Sequence, residues 1–351
     1  MKVSHFVYNL DSYSGAAFQA YKLAIVLYEK YNVDSIFLNY SNADDVKKPD
    51  GYFSVSTIRK KSSLIFKFFS VLKLIIKTDV IHLHGFHRLP LVINFFIRKP
   101  VLFKSTLDGH DDLESIQRKS PFFFKCIFNK QISANNALTI DIYKKNKKFL
   151  NEEKILVINN GIELVGSPIF DKENIYVCVG AVVPRKNVDK AIVFFINNLE
   201  ATDKTLYIIG PNNDGIPEFN KEYYAHCCKL AVGHNIEFVG NKSKNDLFSY
   251  YGRAKGILFF SEREGMPNVL IEAMGSNCFP IVNDNYKVSL EVIGELYPKE
   301  GYNDRQRDEL ESLIESSVAS SLPYKRALHF SIDKSAKAHY DLYRKLIGNI
   351  N

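Results

Sequence analysis

Two glutamates eight positions apart, Glu264 and Glu272, lie in the stretch GILFFSEREGMPNVLIEAMGS, and the chemistry open to them is the holding of hydroxyl groups beside an anion. GILFF reads as a strand ending at Phe260, SEREG as a loop, and Pro267 suits the first helical position, because its ring fixes φ and the donor it lacks would go unused there. Gly265 then falls just outside the helix, where the absence of a side chain lets the backbone approach a ligand. The N–H groups of Met266, Asn268 and Val269 would point into the loop with the positive end of the helix dipole behind them, an arrangement that suits a phosphate. Glu272 falls about one and a half turns into the helix among Val269, Leu270, Ile271, Ala273 and Met274. An ionised carboxylate in that company needs donors, and the paired hydroxyls of a ribose supply two. Glu264, ahead of the helix, can accept from the hydroxyls of a sugar.

A second anion-binding element follows the strand IYVCVG, where the loop AVVPRK leads into the helical stretch NVDKAIVFF with Asn187 as its N-cap. Lys186 at that mouth can neutralise a diphosphate, with Arg185 beside it. His82, His84 and His87 in IHLHGFH have no carboxylate or cysteine nearby to complete a ligand set, so no metal site is expected there. Cys126, Cys178, Cys227, Cys228 and Cys278 form an odd set without CxxC spacing and read as reduced thiols in cytosol.

These residues need a frame to hold them. At 351 residues the chain exceeds what one hydrophobic core usually serves, which points to two domains and a cleft between them. Short β-branched or aromatic runs (KVSHFVYNL, SIFLNY, DVIHLHG, PVLFKSTL) alternate with amphipathic segments such as residues 17–30, the pattern of parallel sheets covered by helices. The alternation restarts at NIYVCVG and continues through TLYIIG, NIEFVG, GILFF and FPIVND. The expected domains are therefore 1–160 and 161–332, joined through ILVINNGIEL, with a terminal helix in 333–351 that can pack on either domain.

The net charge of +7 is uneven: residues 1–160 carry 24 Lys or Arg against 14 Asp or Glu, and the remainder has a net charge of −3. A surface built for solubility and an anionic partner, such as a membrane, both account for that excess. Within the basic half, RKKSSLIFKFFSVLKLIIK places Ser63, Lys67, Ser70, Lys73 and Lys77 at helical spacing. It reads first as a buried helix with one solvated lysine stripe, and second as a helix lying in a lipid interface. No stretch is apolar enough for a signal peptide or a membrane span, so the expected place is the cytoplasm, with a peripheral position on the inner membrane face as the extension. No motif for reading nucleic acid is present.

The second half resembles the donor domain of family 4 retaining glycosyltransferases. The residues carrying the resemblance are INNGIE, VGAVVPRKN, LYIIG, IEFVG and SEREGMPNVLIEAMGS, five motifs in the family's order. The resemblance implies the GT-B fold, two doubly wound Rossmann-like α/β domains facing across a cleft. It also implies transfer of a sugar from a nucleotide-diphosphate sugar to a glycan or lipid-linked acceptor, as in bacterial surface polysaccharide synthesis. Residue by residue, Lys186 is expected on the donor diphosphate, the backbone of Gly265 and Met266 on phosphate or sugar, Glu264 on the donor sugar and Glu272 on the ribose.

Members often have an arginine after the VG glycine, where this chain has Ala181, and Arg185 is the candidate to replace it. In the first half, Ser14-Gly15-Ala16 takes the place of the family's glycine loop, which puts Gly15 at the donor. The family's active-site histidine falls near Thr106, with Asp108 and His110 the nearest candidates and His110 the choice. No Asp-x-Asp occurs, and the pairs Asp44-Asp45 and Asp111-Asp112 lack the spacing for a catalytic divalent ion, so the reaction is expected to need neither metal nor cofactor. A sugar-nucleotide epimerase of the same fold and a non-catalytic sugar-binding module are the alternatives, the second favoured by Ala181.

Overall fold

Both faces of β1 (Lys2–Tyr8) are covered, so its five middle residues are all buried, as the central strand of a parallel sheet requires. The computed structural model describes residues 1–10, 15–41, 52–107, 109–164, 166–216, 218–298, 301–302 and 305–348. Ser14, Asp44, Asp45 and Asp108 lie outside the described residues. Packing divides the chain into two units, Met1–Gly161 with Ile332–Asn351, and Ile162–Ser331.

The first unit carries a seven-stranded parallel sheet in the order β3-β2-β1-β4-β5-β6-β7. Its strands after β1 are β2 (Asp34–Ser41), β3 (Ser54–Arg59), β4 (Val80–His84), β5 (Val101–Ser105), β6 (Ile132–Ala137) and β7 (Ile155–Val157). Helix α1 (Gly15–Tyr31) joins β1 to β2, α2 (Leu64–Ile76) joins β3 to β4, and α3 (Arg88–Ile97) joins β4 to β5. The strand order reverses between β1 and β4, and that junction is where an open sheet of this kind receives ligands. The helix Ile332–Gly348 packs on α1, and its Ile332, Ala336, Leu342, Tyr343 and Leu346 join Val3, Leu27, Val80 and Leu102 in one core.

Beneath that helix lies a buried polar network. His5 and His82 are cross-strand partners on β1 and β4. Nδ1 of His5 and Nε2 of His84 are 3.0 Å apart, and His82 Nδ1 lies 2.6 Å from the Tyr343 hydroxyl. Asn136 Nδ2 donates to His339 Nε2 at 3.2 Å, and Lys104 Nζ donates to Asn160 Oδ1 at 2.8 Å. Desolvation pushes His5 and His339 down to about 3 and Lys104 down to about 8, so the imidazoles are neutral at pH 7. The histidine set differs from the one read in the sequence: ligand-capable nitrogens of His5, His82 and His84 lie within 4.8 Å of one another, whereas His87 stacks on Tyr8 at 4.1 Å. Strand alternation puts His82 and His84 on one face, and His87 has already left the strand for the cap of α3.

Helix α2 forms where the spacing places it, with the Ser63 hydroxyl accepting from the Phe66 amide, yet the buried helix expected there is not what results. Only Val71, Leu74 and Ile75 are buried, while Leu64, Ile65, Phe66, Phe68, Phe69 and Ile76 are exposed. One narrow stripe suffices to seat a helix on a sheet, and the rest of this apolar surface stays outside the unit's core.

The second unit is a five-stranded parallel sheet, β10-β9-β8-β11-β12. The strands are β8 (Glu173–Val179), β9 (Thr205–Ile209), β10 (Ile236–Gly240), β11 (Ala254–Phe259) and β12 (Phe279–Val282). The reversal of order falls between β8 and β11. Just beyond β8 and β9, Gly210 (φ 153°) comes so close to Gly180 that a Cβ on it would lie 2.0 Å from the Gly180 carbonyl oxygen. Among the described residues no helix is long and apolar enough to cross a membrane.

Candidate functional site

The ends of β8 and β11 emerge side by side at the reversal point, and the loops that follow are stitched together. After β8 the chain makes a 3-10 turn, Pro184–Lys186, and enters the helix Val188–Asn198; after β11 the loop 260–267 leads into the helix Asn268–Gly275. The Glu262 amide donates to the Arg185 carbonyl at 3.1 Å, and Asn187 Nδ2 donates to the Phe260 carbonyl at 3.0 Å. Asn187 thus occupies the N-cap position without capping: it is left-handed (φ 48°), and its side chain bridges to the neighbouring loop.

Between these loops Glu264 gathers two cations. The Lys186 ammonium ion-pairs with Oε1 of Glu264, and an Arg185 guanidinium N–H donates to the same oxygen at 3.1 Å. Arg185 also donates to the Arg263 carbonyl at 2.9 Å and to Glu218 at 3.0 Å. The Lys186 and Glu264 side chains are only 17% and 16% exposed, so their charges meet in a partly desolvated setting where the attraction exceeds that of a surface pair. Tyr286 fixes the backbone beneath: its hydroxyl accepts from the Glu264 amide at 2.6 Å and donates to the Glu264 carbonyl at 2.7 Å. Lys186 is shaped from behind, with its Nζ 5.7 Å from the centre of the Phe259 ring and its chain running past Gly180.

Gly265, Met266 and Pro267 are buried, and Asn268, Val269 and Glu272 are half-buried. The helix begins at Asn268, with Pro267 at the cap and not at the first helical position. Its start also corrects the reading of Asn268, whose amide donates to the Met266 carbonyl at 3.0 Å instead of facing outward. The turn at Pro267 (ψ 75°) folds the chain back on itself there. Glu272 sits one turn further on, flanked by buried Ile271 and Ala273.

The remaining predicted residues belong to the first unit. At the junction of β1 and β4, a cavity of about 750 Å³ is lined by Tyr8, Asn9, Gly85, Arg88, Thr106 and Asp111, among others. Exposed His110 is on its wall, and Gly15 opens α1 immediately before Ala16, which also lines it. Buried Asp111 accepts from the amides of Thr106 and Leu107, both at 2.8 Å. Desolvation nonetheless raises its carboxyl to about 6. Sequence reasoning missed Tyr286, Glu218 and Asp111. The first two act through partners 22 and 33 positions away that no periodicity reveals, and Asp111 reads in the sequence only as half of an acidic pair without metal spacing.

Residues 163–328 match the family described as glycosyl transferases group 1. The chain is 25% identical to the capsular polysaccharide biosynthesis glycosyltransferase CapH of Staphylococcus aureus, in an alignment that spans 66% of each chain. Among solved structures it is similar to HepE of Anabaena in complex with UDP and glucose (14% identity, TM-score 0.70, 98% of this chain and 100% of that one). It is similar also to sucrose-phosphate synthase of Thermosynechococcus elongatus (15% identity, TM-score 0.70, 99% of this chain and 100% of that one). These neighbours are GT-B glycosyltransferases, and this chain has their fold.

Proposed function

We propose, from the match of residues 163–328 to the group 1 glycosyl transferases, that the chain is a retaining, metal-independent enzyme of surface polysaccharide synthesis. It takes a sugar from a nucleotide-diphosphate sugar and passes it to a glycan or lipid-linked acceptor. The observation that carries this reading is the pairing of Lys186 and Arg185 on Glu264 at the β8–β11 junction. The named relatives support it: CapH belongs to capsule synthesis, and HepE has been captured with UDP and glucose.

In this reading the donor diphosphate enters beside the start of the helix Asn268–Gly275 and takes over the donors of Lys186 and Arg185. Glu264, relieved of those partners, accepts from hydroxyls of the sugar, while Glu272 accepts from the ribose. The bond between the anomeric carbon and the phosphate oxygen breaks with its electron pair going to the diphosphate. The acceptor oxygen bonds to the anomeric carbon from the same face, and its proton passes to the leaving phosphate. Each fixed donor on the departing charge contributes on the order of 3 kcal/mol in a dry site. Protein cations supply the charge that a divalent ion would otherwise bring, in keeping with the absence of an Asp-x-Asp sequence.

The test is incubation with a panel of nucleotide sugars, with and without glycan and lipid-linked acceptors, in the presence of a chelator. Acceptor-dependent nucleotide release that survives the chelator, with the anomeric configuration of the product read by NMR, is the expected result. Acceptor-independent conversion identifies an epimerase, and binding without release identifies a sugar-binding module.

A further inference from the structure

We propose that the outer surface of α2 and α3 is a docking surface for a bilayer containing anionic phospholipid. On α2, Ile65, Phe69, Leu72 and Ile76 follow one another at spacings of four, three and four, which aligns them in a single stripe. That stripe faces away from the core: Ile65 is 71% exposed, Phe69 61% and Ile76 59%. Helix α3 packs beside α2 and repeats the pattern with Val92, Phe95 and Phe96, the last 81% exposed. Isolated apolar residues on a surface need no explanation, but two adjoining stripes of large ones do.

Charge decides what covers them. From Arg59 to Leu107 the chain has ten Lys or Arg and a single acid, Asp79. Both helices link parallel strands and so run in the same direction, which brings Lys73 and the C-cap Lys77 of α2, and the C-cap Arg98 of α3 with Lys99 after it, toward one end of the surface. Next to Phe95, a cavity of about 400 Å³ is lined by Arg98, Lys99 and Lys130, a size and charge that suit a lipid phosphate. Arg98 takes the left-handed conformation (φ 63°) at a helix end, a position that favours glycine. A second copy would set this basic surface against itself, whereas an anionic membrane answers both the apolar stripes and the cations.

Binding of the full chain to vesicles is read by flotation, using phosphatidylcholine alone and a mixture with phosphatidylglycerol, and oligomeric state by light scattering. The expected result is binding to the anionic vesicles at least about tenfold tighter than to neutral ones. Lys73→Gln and Lys77→Gln each lower it about fivefold. Phe69→Glu and Phe96→Glu lower it on the order of tenfold each without changing the melting temperature, because both side chains are already in water. Arg98→Gly lowers vesicle binding while raising the melting temperature, a pair of effects that a purely structural role does not produce.

Failure to float with anionic vesicles overturns the proposal, as does binding unaffected by the phenylalanine substitutions. So does saturable binding of inorganic phosphate by a chain that does not float with anionic vesicles, which identifies a phosphate site without a membrane. A dimer converted to monomer by Phe69→Glu shows that a second copy covers the face. The inference stands apart from the donor reading, since nucleotide binding measured without vesicles is unchanged in every one of these variants.

Discussion

Lys186 and Glu264 stand 78 positions apart in the chain and meet as an ion pair where the loops after β8 and β11 converge. With Arg185 on the same carboxylate oxygen, the cations are already aligned before any anion arrives. Lys186→Ala is expected to lower kcat/KM a hundred- to thousandfold, about 3–4 kcal/mol of transition-state stabilisation, and to cost about 1 kcal/mol or less in stability. Steady-state kinetics beside a denaturant titration measures both; an intact kcat/KM removes Lys186 from the chemistry.

Tyr286 holds Glu264 by both its amide and its carbonyl, so its role is one of position. Tyr286→Phe should lower kcat/KM about tenfold through displacement of Glu264, with a stability loss of about 1–2 kcal/mol. In a double-mutant cycle with Glu264→Gln the two losses should be strongly non-additive. Simple additivity would show that the tyrosine acts elsewhere.

Gly210 approaches Gly180 too closely for any side chain, and Gly210→Ala is expected to cost about 3 kcal/mol or more. Gly233 provides the control: its φ is 85°, but a Cβ there meets nothing within 4 Å, so Gly233→Ala should cost only about 1 kcal/mol. Equal melting temperatures for the two variants would contradict the close approach.

The buried histidines make the first unit sensitive to acid. His5, His87 and His339 are pushed down to about 3, and His82 and His84 well below 6.5, in each case chiefly by desolvation. The unfolded chain therefore binds more protons than the folded one between about pH 3 and 6.5, and stability is lost as pH falls through 6.5. Asp111, raised to about 6, works in the opposite sense and offsets about one proton near pH 5. A net uptake of protons on unfolding is expected there, so the unfolding free energy falls as pH falls from about 6.5 toward 5. The slope of unfolding free energy against pH, followed by circular dichroism, measures it, and a flat profile between pH 7 and 5 would refute the assignment.

The strand–loop–helix order around Glu264 and Lys186 was legible because each element has a local signal: an apolar run, a glycine or proline, then helical periodicity. The same signals revealed both sheets. They were silent on Tyr286, whose partner is distant in the chain, and on Asn187, whose amide had two competing uses, the cap and the neighbouring loop. Periodicity also misjudged α2, because a stripe of Ile and Phe has the same spacing whether a core or water lies against it. Burial is decided by what the rest of the chain brings to the surface. His82 and His84 show the reverse: their alternation was visible, but the helix carrying His339 and Tyr343 that closes over them comes from the far end of the sequence.

That late helix sets an order of assembly. Residues 332–348 supply part of the core around β1 and β4, so during synthesis the whole of the second unit emerges from the ribosome before the first can be completed. Until the helix Ile332–Gly348 arrives, Leu102 and Val80 are incompletely covered. The first unit is thus completed by a segment that follows the whole of the second in the chain.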